Sequence, residues 1–221
     1  MRKFVLLTVA VLTVLAVAAS TALAARGGPS VRGNAVQAQQ VCTGTLASGT
    51  YHKLVVPAGA TCDGTNAEIN VRGGVRVGEG ATFILGADPN EGGGADTGKI
   101  RGGIRANAPA TLEVHFAHIK GGVRMRGGNG FFSTVEDNVI RGGATINGYS
   151  GFWLGFIRNE VRGTVTLSNN VMDDPDANEY VTNTIKGNLV CHNNSPAPHV
   201  GDSEGEPNVV SGRKVDQCAG L

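Results

Sequence analysis

Charge of one sign is scarce in this sequence: 19 Lys and Arg stand against 18 Asp and Glu over 221 residues. That balance excludes a bulk polyelectrolyte binder but leaves room for a local basic strip. Aromatic residues make up only 5%. They do not interleave with the basic residues, a poor pattern for a nucleic-acid partner. No P-loop, GxGxxG, GxSxG or HExxH motif is present, so the common nucleotide, acyl-transfer and metalloprotease chemistries lack their residues. The four cysteines include no short-spaced pair, which removes the usual zinc-ligand pattern. The long apolar run is confined to Phe4–Ala19.

Arg2 and Lys3 precede that run, and Ala22-Leu23-Ala24 follows it. A basic start, an apolar stretch and a small-x-small site form the pattern of a secretory signal peptide, expected here over residues 1–24. The competing reading is a membrane anchor, for which the run is short. No cysteine follows the site, so lipid attachment is not expected there. Removing 24 of 221 residues leaves 197, and removing Arg2 and Lys3 leaves 17 cations against 18 acids. That length suits one domain. Residues 25–41 read as a flexible lead-in. Export places the chain outside the cell, with no membrane span after cleavage, and favours disulfides. Cys42 and Cys62 lie near the start of the mature chain, Cys191 and Cys218 near its end. Of three connectivities, the local pairs Cys42–Cys62 and Cys191–Cys218 are favoured.

What the sequence does have is a repeat. Six segments align: VRGGVRV (71–77), IRGGIRA (100–106), IKGGVRM (119–125), IRGGATI (140–146), VRGTVTL (161–167) and IKGNLVC (185–191). Their starts are 29, 19, 21, 21 and 24 residues apart, and such a period decides the architecture. Places one, five and seven are apolar in every copy, as in short strands buried on one side. Place three is always Gly, and place four is Gly, Thr or Asn. These residues tolerate the backbone angles of a sharp corner. A third strand per unit is expected at Leu112–Val114, Phe132–Val135, Trp153–Phe156 and Tyr180–Val181. Three short strands per turn of about 20 residues describe a coil of a parallel β-helix. A helix in each unit is implausible with this Gly and Asn load. The long intervals contain the loops ADPNEGGGADTG (87–98) and DDPDANE (173–179).

The repeated corners, and the preceding N-x-[VI] at Asn138, Asn159, Asn183 and Asn208, resemble those of secreted bacterial right-handed parallel β-helix proteins. These form the pectin-lyase-like superfamily in the broad sense. The tail GNLVCHNNSPAPHVGDSEGEPNVVSGRKVDQC is similar to the closing segment of its small, uncharacterised members. The resemblance implies an all-β, right-handed, single-stranded solenoid of six to eight coils over residues 42–221. It is specific for fold and not for function, because that superfamily includes lyases, hydrolases, adhesins and non-enzymes.

Candidate sites follow from the columns. Place two is Arg72, Arg101, Lys120, Arg141, Arg162 and Lys186; place six adds Arg76, Arg105 and Arg124. Coils stack at about 4.8 Å, so like charges line up, which is mildly destabilising. No acidic column stands beside them. A solvated structural face is one reading. The other is an elongated binding strip for an acidic polysaccharide or cell-envelope polymer, with nucleic acid disfavoured. For catalysis, counting back from each corner puts His115 level with Glu136, and Asp137 level with Arg158. Paired carboxylates beside an Arg would suit a polysaccharide lyase or glycoside hydrolase, yet the hydrolase-type aspartate pairs and GHG signature are missing. A charged solvated strand is the plainer account. Asp174, Asp176 and Asn178 have the alternating spacing that opens a Ca2+ loop, without its Gly and closing Glu. Phe152 and Trp153 offer rings for stacking on sugar, although Trp on a strand more often belongs to the core. The expected function is a non-catalytic exported binding or structural element, with a carbohydrate-active enzyme as the alternative.

Overall fold

The computed structural model describes residues 39–200 and 205–221. The expected signal peptide, and the lead-in as far as residue 38, lie outside the described residues. The chain is an all-β parallel solenoid of about eight turns, about 21 residues each. Each turn visits three sheets, of eight, nine and eight strands. Sheet 1 holds the strand before the Gly corner, such as Ala117–Ile119. Sheet 2 holds the strand after it, such as Val123–Arg126. Sheet 3 holds the third strand, such as Asn129–Glu136. The four expected third strands lie in Thr111–His115, Asn129–Glu136, Ser150–Ile157 and Glu179–Val181. The strand Gln40–Val41 already pairs with Leu54–Val56, so the first coil begins two residues ahead of the expected boundary.

Period-2 alternation explains which residues fill the interior. Val71, Ile100, Ile119, Ile140, Val161 and Ile185 form one column, all at 0% exposure. Their pairing is residue on residue, Ile119 against Ile100 and Ile140 against Ile119. Full burial of each such side chain stabilises by roughly 1.5–3 kcal/mol. The core is therefore a narrow rod of stacked aliphatics. The disulfides Cys42–Cys62 and Cys191–Cys218 stand at its two ends. Cys191 is itself the last member of the place-seven column, on Leu167.

The turn from sheet 3 back to sheet 1 is also repetitive, and it positions a candidate site. Phe116, Asp137, Arg158 and Thr182 take positive φ there, between 51° and 58°. Each backbone N–H bonds the next coil, Asp137 to Ile157 and Arg158 to Val181. The following Asn residues stack beneath one another. Asn138 Nδ2 donates to Asn159 Oδ1 at 3.1 Å, Asn159 to Asn183 at 3.0 Å, and Asn183 to Asn208 at 2.8 Å. Each Oδ1 also accepts the backbone N–H one coil back. The ladder thus satisfies buried polar groups at a bend that no sheet pairing reaches.

Loop 87–98 folds against the outside of sheet 3, whereas the segment after Cys191 first continues that sheet, Ser195 bridging Val171 and His199 bridging Glu179. Thr97 Oγ1 donates to the His115 carbonyl at 2.6 Å, and Gly205 lies against Val181. Outward residues of this sheet are buried, among them Thr134, beside Gly155 and the Trp153 ring, and Glu136.

Candidate functional site

The cationic columns lie in register along the solenoid axis. Arg76 pairs with Arg105, and Arg105 with Arg124. The corner column follows the same stacking: the N–H groups of Arg101, Lys120, Arg141 and Arg162 each bond the coil before. All nine expected cations are exposed. Among the described residues, none of the nine has a carboxylate within salt-bridge distance; the ion pairs there involve Arg158 and three histidines. The neighbouring column on sheet 1 offers Lys99, His118, Val139 and Glu160 instead of an acidic ladder. Arg126 joins the set, two places beyond Arg124 on the same strand. Arg76, Arg105, Arg124 and Arg126 line one groove on sheet 2 of about 520 Å³. The aligned repeat window ends at residue 125, which is why the sequence columns omit Arg126. Its signal was the VRMR alternation itself.

The second constellation lies outside sheet 3. His115 pairs in register with Glu136, and their Nδ1 and Oε2 atoms stand 3.7 Å apart. Arg158 binds Asp137 through both of its carboxylate oxygens, at 2.9 Å each, and also bonds Glu136. The four residues therefore do cluster. The shared αL conformation at 137 and 158 stacks the guanidinium on its carboxylate. Loop 87–98 contributes a fifth member, Asp88, 3.7 Å from Arg158. No repeat contains Asp88, so no column points to it. Glu136 and His115 are 4% and 2% exposed. Burial pushes the Glu136 carboxyl up to about 7; Arg158 opposes the shift, and Asp88 and Asp137 add to it. Burial pushes His115 the other way, below its ordinary value. Two buried groups driven in opposite directions can act as proton donor and acceptor. Here they sit beneath a loop, with the arginine already bonded to both carboxylates.

The three residues of the alternative cation loop, Asp174, Asp176 and Asn178, do not turn their side chains to one point. Asp174 Oδ1 accepts the Asp176 N–H at 2.9 Å, closing a tight turn. Asn178 faces inward, fully buried. Its Oδ1 accepts from the Tyr180 hydroxyl at 2.7 Å, and its Nδ2 donates to the Pro196 carbonyl. That oxygen is committed to the interior and does not share a cation with Asp174 and Asp176. Among the described residues no three acids, histidines or cysteines are grouped to hold a metal. Trp153 stacks on Phe132 at 4.7 Å and donates to Glu179 at 2.9 Å, so it is partly core. Phe152 stacks on Phe131 at 4.8 Å, and both are exposed. No protein-family model, curated protein or solved structure matches this chain.

Proposed function

We propose that this protein is an exported, non-catalytic β-solenoid of the pectin-lyase-like kind that binds an acidic polysaccharide or another anionic cell-envelope polymer through its cationic columns. The observation that carries the reading is the set of exposed, register-aligned Arg and Lys residues without carboxylate partners among the described residues. Like charges stacked at about 4.8 Å disfavour folding slightly. A polyanion laid over them removes that repulsion and releases counterions, and its charge repeat matches a column better than a single site. Two disulfides are compatible with life outside the cell. Among the described residues no helix is long and apolar enough to cross a membrane.

The test is retention on heparin and polygalacturonate resins. Wild type should bind and elute with salt. Arg101→Gln/Arg141→Gln/Arg162→Gln should elute at clearly lower salt while melting no lower than wild type, because it relieves repulsion of about 0.2–1 kcal/mol per pair. Absence of salt-dependent retention of the wild type would sink the reading.

The carbohydrate-active enzyme remains the second reading, favoured by one observation: Glu136 and His115 are shifted in opposite directions beside Arg158. Assays on acidic polysaccharides with His115→Ala, Glu136→Ala and Asp137→Ala decide it. Product released by wild type and lost in all three supports catalysis; no product from wild type ends it.

A further inference from the structure

The two cationic columns border separate grooves, one on each side of the Gly corner. Arg101, Lys120 and Arg141 line the groove on sheet 1, whereas Arg76, Arg105, Arg124 and Arg126 line that on sheet 2. The sheet 2 groove is the larger of the two, about 520 Å³ against about 210 Å³. Its volume is that of a site for one small ligand. Its lining is not uniform along the solenoid axis. The outward column of sheet 2 begins at Val41, which pairs with Val55; Val55 pairs with Arg76, Arg76 with Arg105, and Arg105 with Arg124. The first two coils thus present apolar side chains where the next three present guanidinium groups. Val41 is 49% exposed. The turn after Val56 adds Pro57 and Ala58 to the apolar end of the groove. At the other end Arg126 stands two places beyond Arg124 on one strand, so both project from the same face.

Exposed valine and guanidinium groups without a carboxylate in salt-bridge distance, among the described residues, therefore meet in one groove. Each end selects a different part of one molecule. An alkyl chain laid over Val41, Val55, Pro57 and Ala58 takes apolar surface out of water on both partners. The aliphatic stem of Arg76 lengthens that surface. An anionic head at the far end meets Arg105, Arg124 and Arg126. A phosphate monoester carries close to two charges and three acceptor oxygens. It matches three guanidinium groups better than a carboxylate with its single charge, and each guanidinium can hold it bidentately. A hydrophilic polymer leaves the valine end unused, and a neutral lipid leaves the arginine end unpaired.

We propose that the sheet 2 groove binds the monomer of a single-chain anionic amphiphile, an alkyl phosphate in class, with its phosphate at Arg105, Arg124 and Arg126 and its chain directed towards Val55 and Val41. This goes beyond the polyanion-binding reading, because it gives the sheet 2 groove a ligand of its own and uses its apolar end. Monomer binding follows from the same geometry: a lipid held in a bilayer keeps its chain there and has no use for the valines.

The experiment is calorimetric titration of the purified protein with decyl phosphate below its micelle concentration, beside inorganic phosphate, decanoate, a decyl glucoside and vesicles of an anionic phospholipid. Decyl phosphate should bind at least about ten-fold more tightly than inorganic phosphate, decanoate or the glucoside, because only it meets both ends of the groove. Lengthening the chain from hexyl to decyl phosphate should raise affinity by up to about four-fold per methylene. Arg105→Gln/Arg124→Gln/Arg126→Gln should weaken decyl phosphate about ten-fold or more. Val41→Thr/Val55→Thr keeps β-branched side chains on both strands; it should weaken decyl phosphate several-fold and flatten the chain-length dependence. Arg101→Gln/Arg141→Gln/Arg162→Gln, on the other side of the corner, should change its affinity by less than about two-fold at physiological salt. Equal binding of inorganic phosphate, decanoate or the glucoside overturns the proposal. So does affinity independent of chain length, an equal loss in the sheet 1 and sheet 2 arginine variants, or binding of vesicles with none of the monomer. Absent binding of decyl phosphate overturns it whether or not wild type is retained on heparin resin, so this site and the polyanion-binding reading fail separately.

Discussion

Glu136 is the residue whose surroundings most change its chemistry. Its carboxyl keeps a proton up to about pH 7 in the folded chain, against an ordinary value of 4.5, because burial outweighs the pull of Arg158. A raised folded pKa gives stability that is complete below the unfolded value and is lost as pH rises through about 7. His115 has the opposite sign. Burial depresses it, so its contribution is present above its ordinary value of 6.5 and is lost as pH falls below it. In Glu136→Gln only the histidine should remain. Between about pH 5 and pH 8, the melting temperature of this variant should rise or stay level, whereas Glu136 pulls that of wild type down. Parallel melting profiles for the two proteins would refute the assignment. The positions of His115, Glu136, Asp137 and Arg158 were legible in the sequence because the intervals from 119 to 140 and from 140 to 161 are both 21 residues. Equal coil lengths make counting from the corner the same as counting in space. Asp88 was not legible, since it reaches Arg158 from a loop outside the repeat.

The stacked strand with its polar bend is the unit of stability at the next scale. Asn159 connects three coils: its Nδ2 donates to the Val135 carbonyl at 2.8 Å and to Asn183, while its Oδ1 accepts from Asn138. Asn159→Ala would leave several buried groups unpaired and should cost roughly 2–4 kcal/mol. A lower urea midpoint with an unchanged slope would show it; a shift under about 0.5 kcal/mol would mean that water replaces the amide. The N-x-[VI] pattern marked these asparagines as a repeated column, and the structure shows how they bond. The pattern did not mark a second ladder, in which Tyr149 N–H bonds Asn170, Asn170 N–H bonds Asn194, and Asn194 N–H bonds Gln217. That ladder has asparagine only at 170 and 194, with Tyr149 before them and Gln217 after, so no residue type repeats often enough to mark the column.

For the molecule as a whole, each coil contacts its neighbours and the ends are where the stack opens. The two disulfides close loops separated by 20 and 27 residues at those ends. Each should contribute about 3 kcal/mol by restricting the unfolded chain. Replacing all four cysteines with Ser should lower the melting temperature and remove amide protection first in Leu54–Val56 and Leu189–His192, while Val123–Arg126 stays protected. Uniform loss of protection would contradict end-capping. The sequence by itself determined the solenoid, its period, the inward columns and the Gly corner, because in a stacked coil a residue's neighbours are its own equivalents one period away. Only the tertiary structure decided how the insertions lie: loop 87–98 against sheet 3, Asn178 turned inward to Tyr180, and Glu136 sealed from water. Those contacts join residues that share no period, and their protonation depends on what covers them.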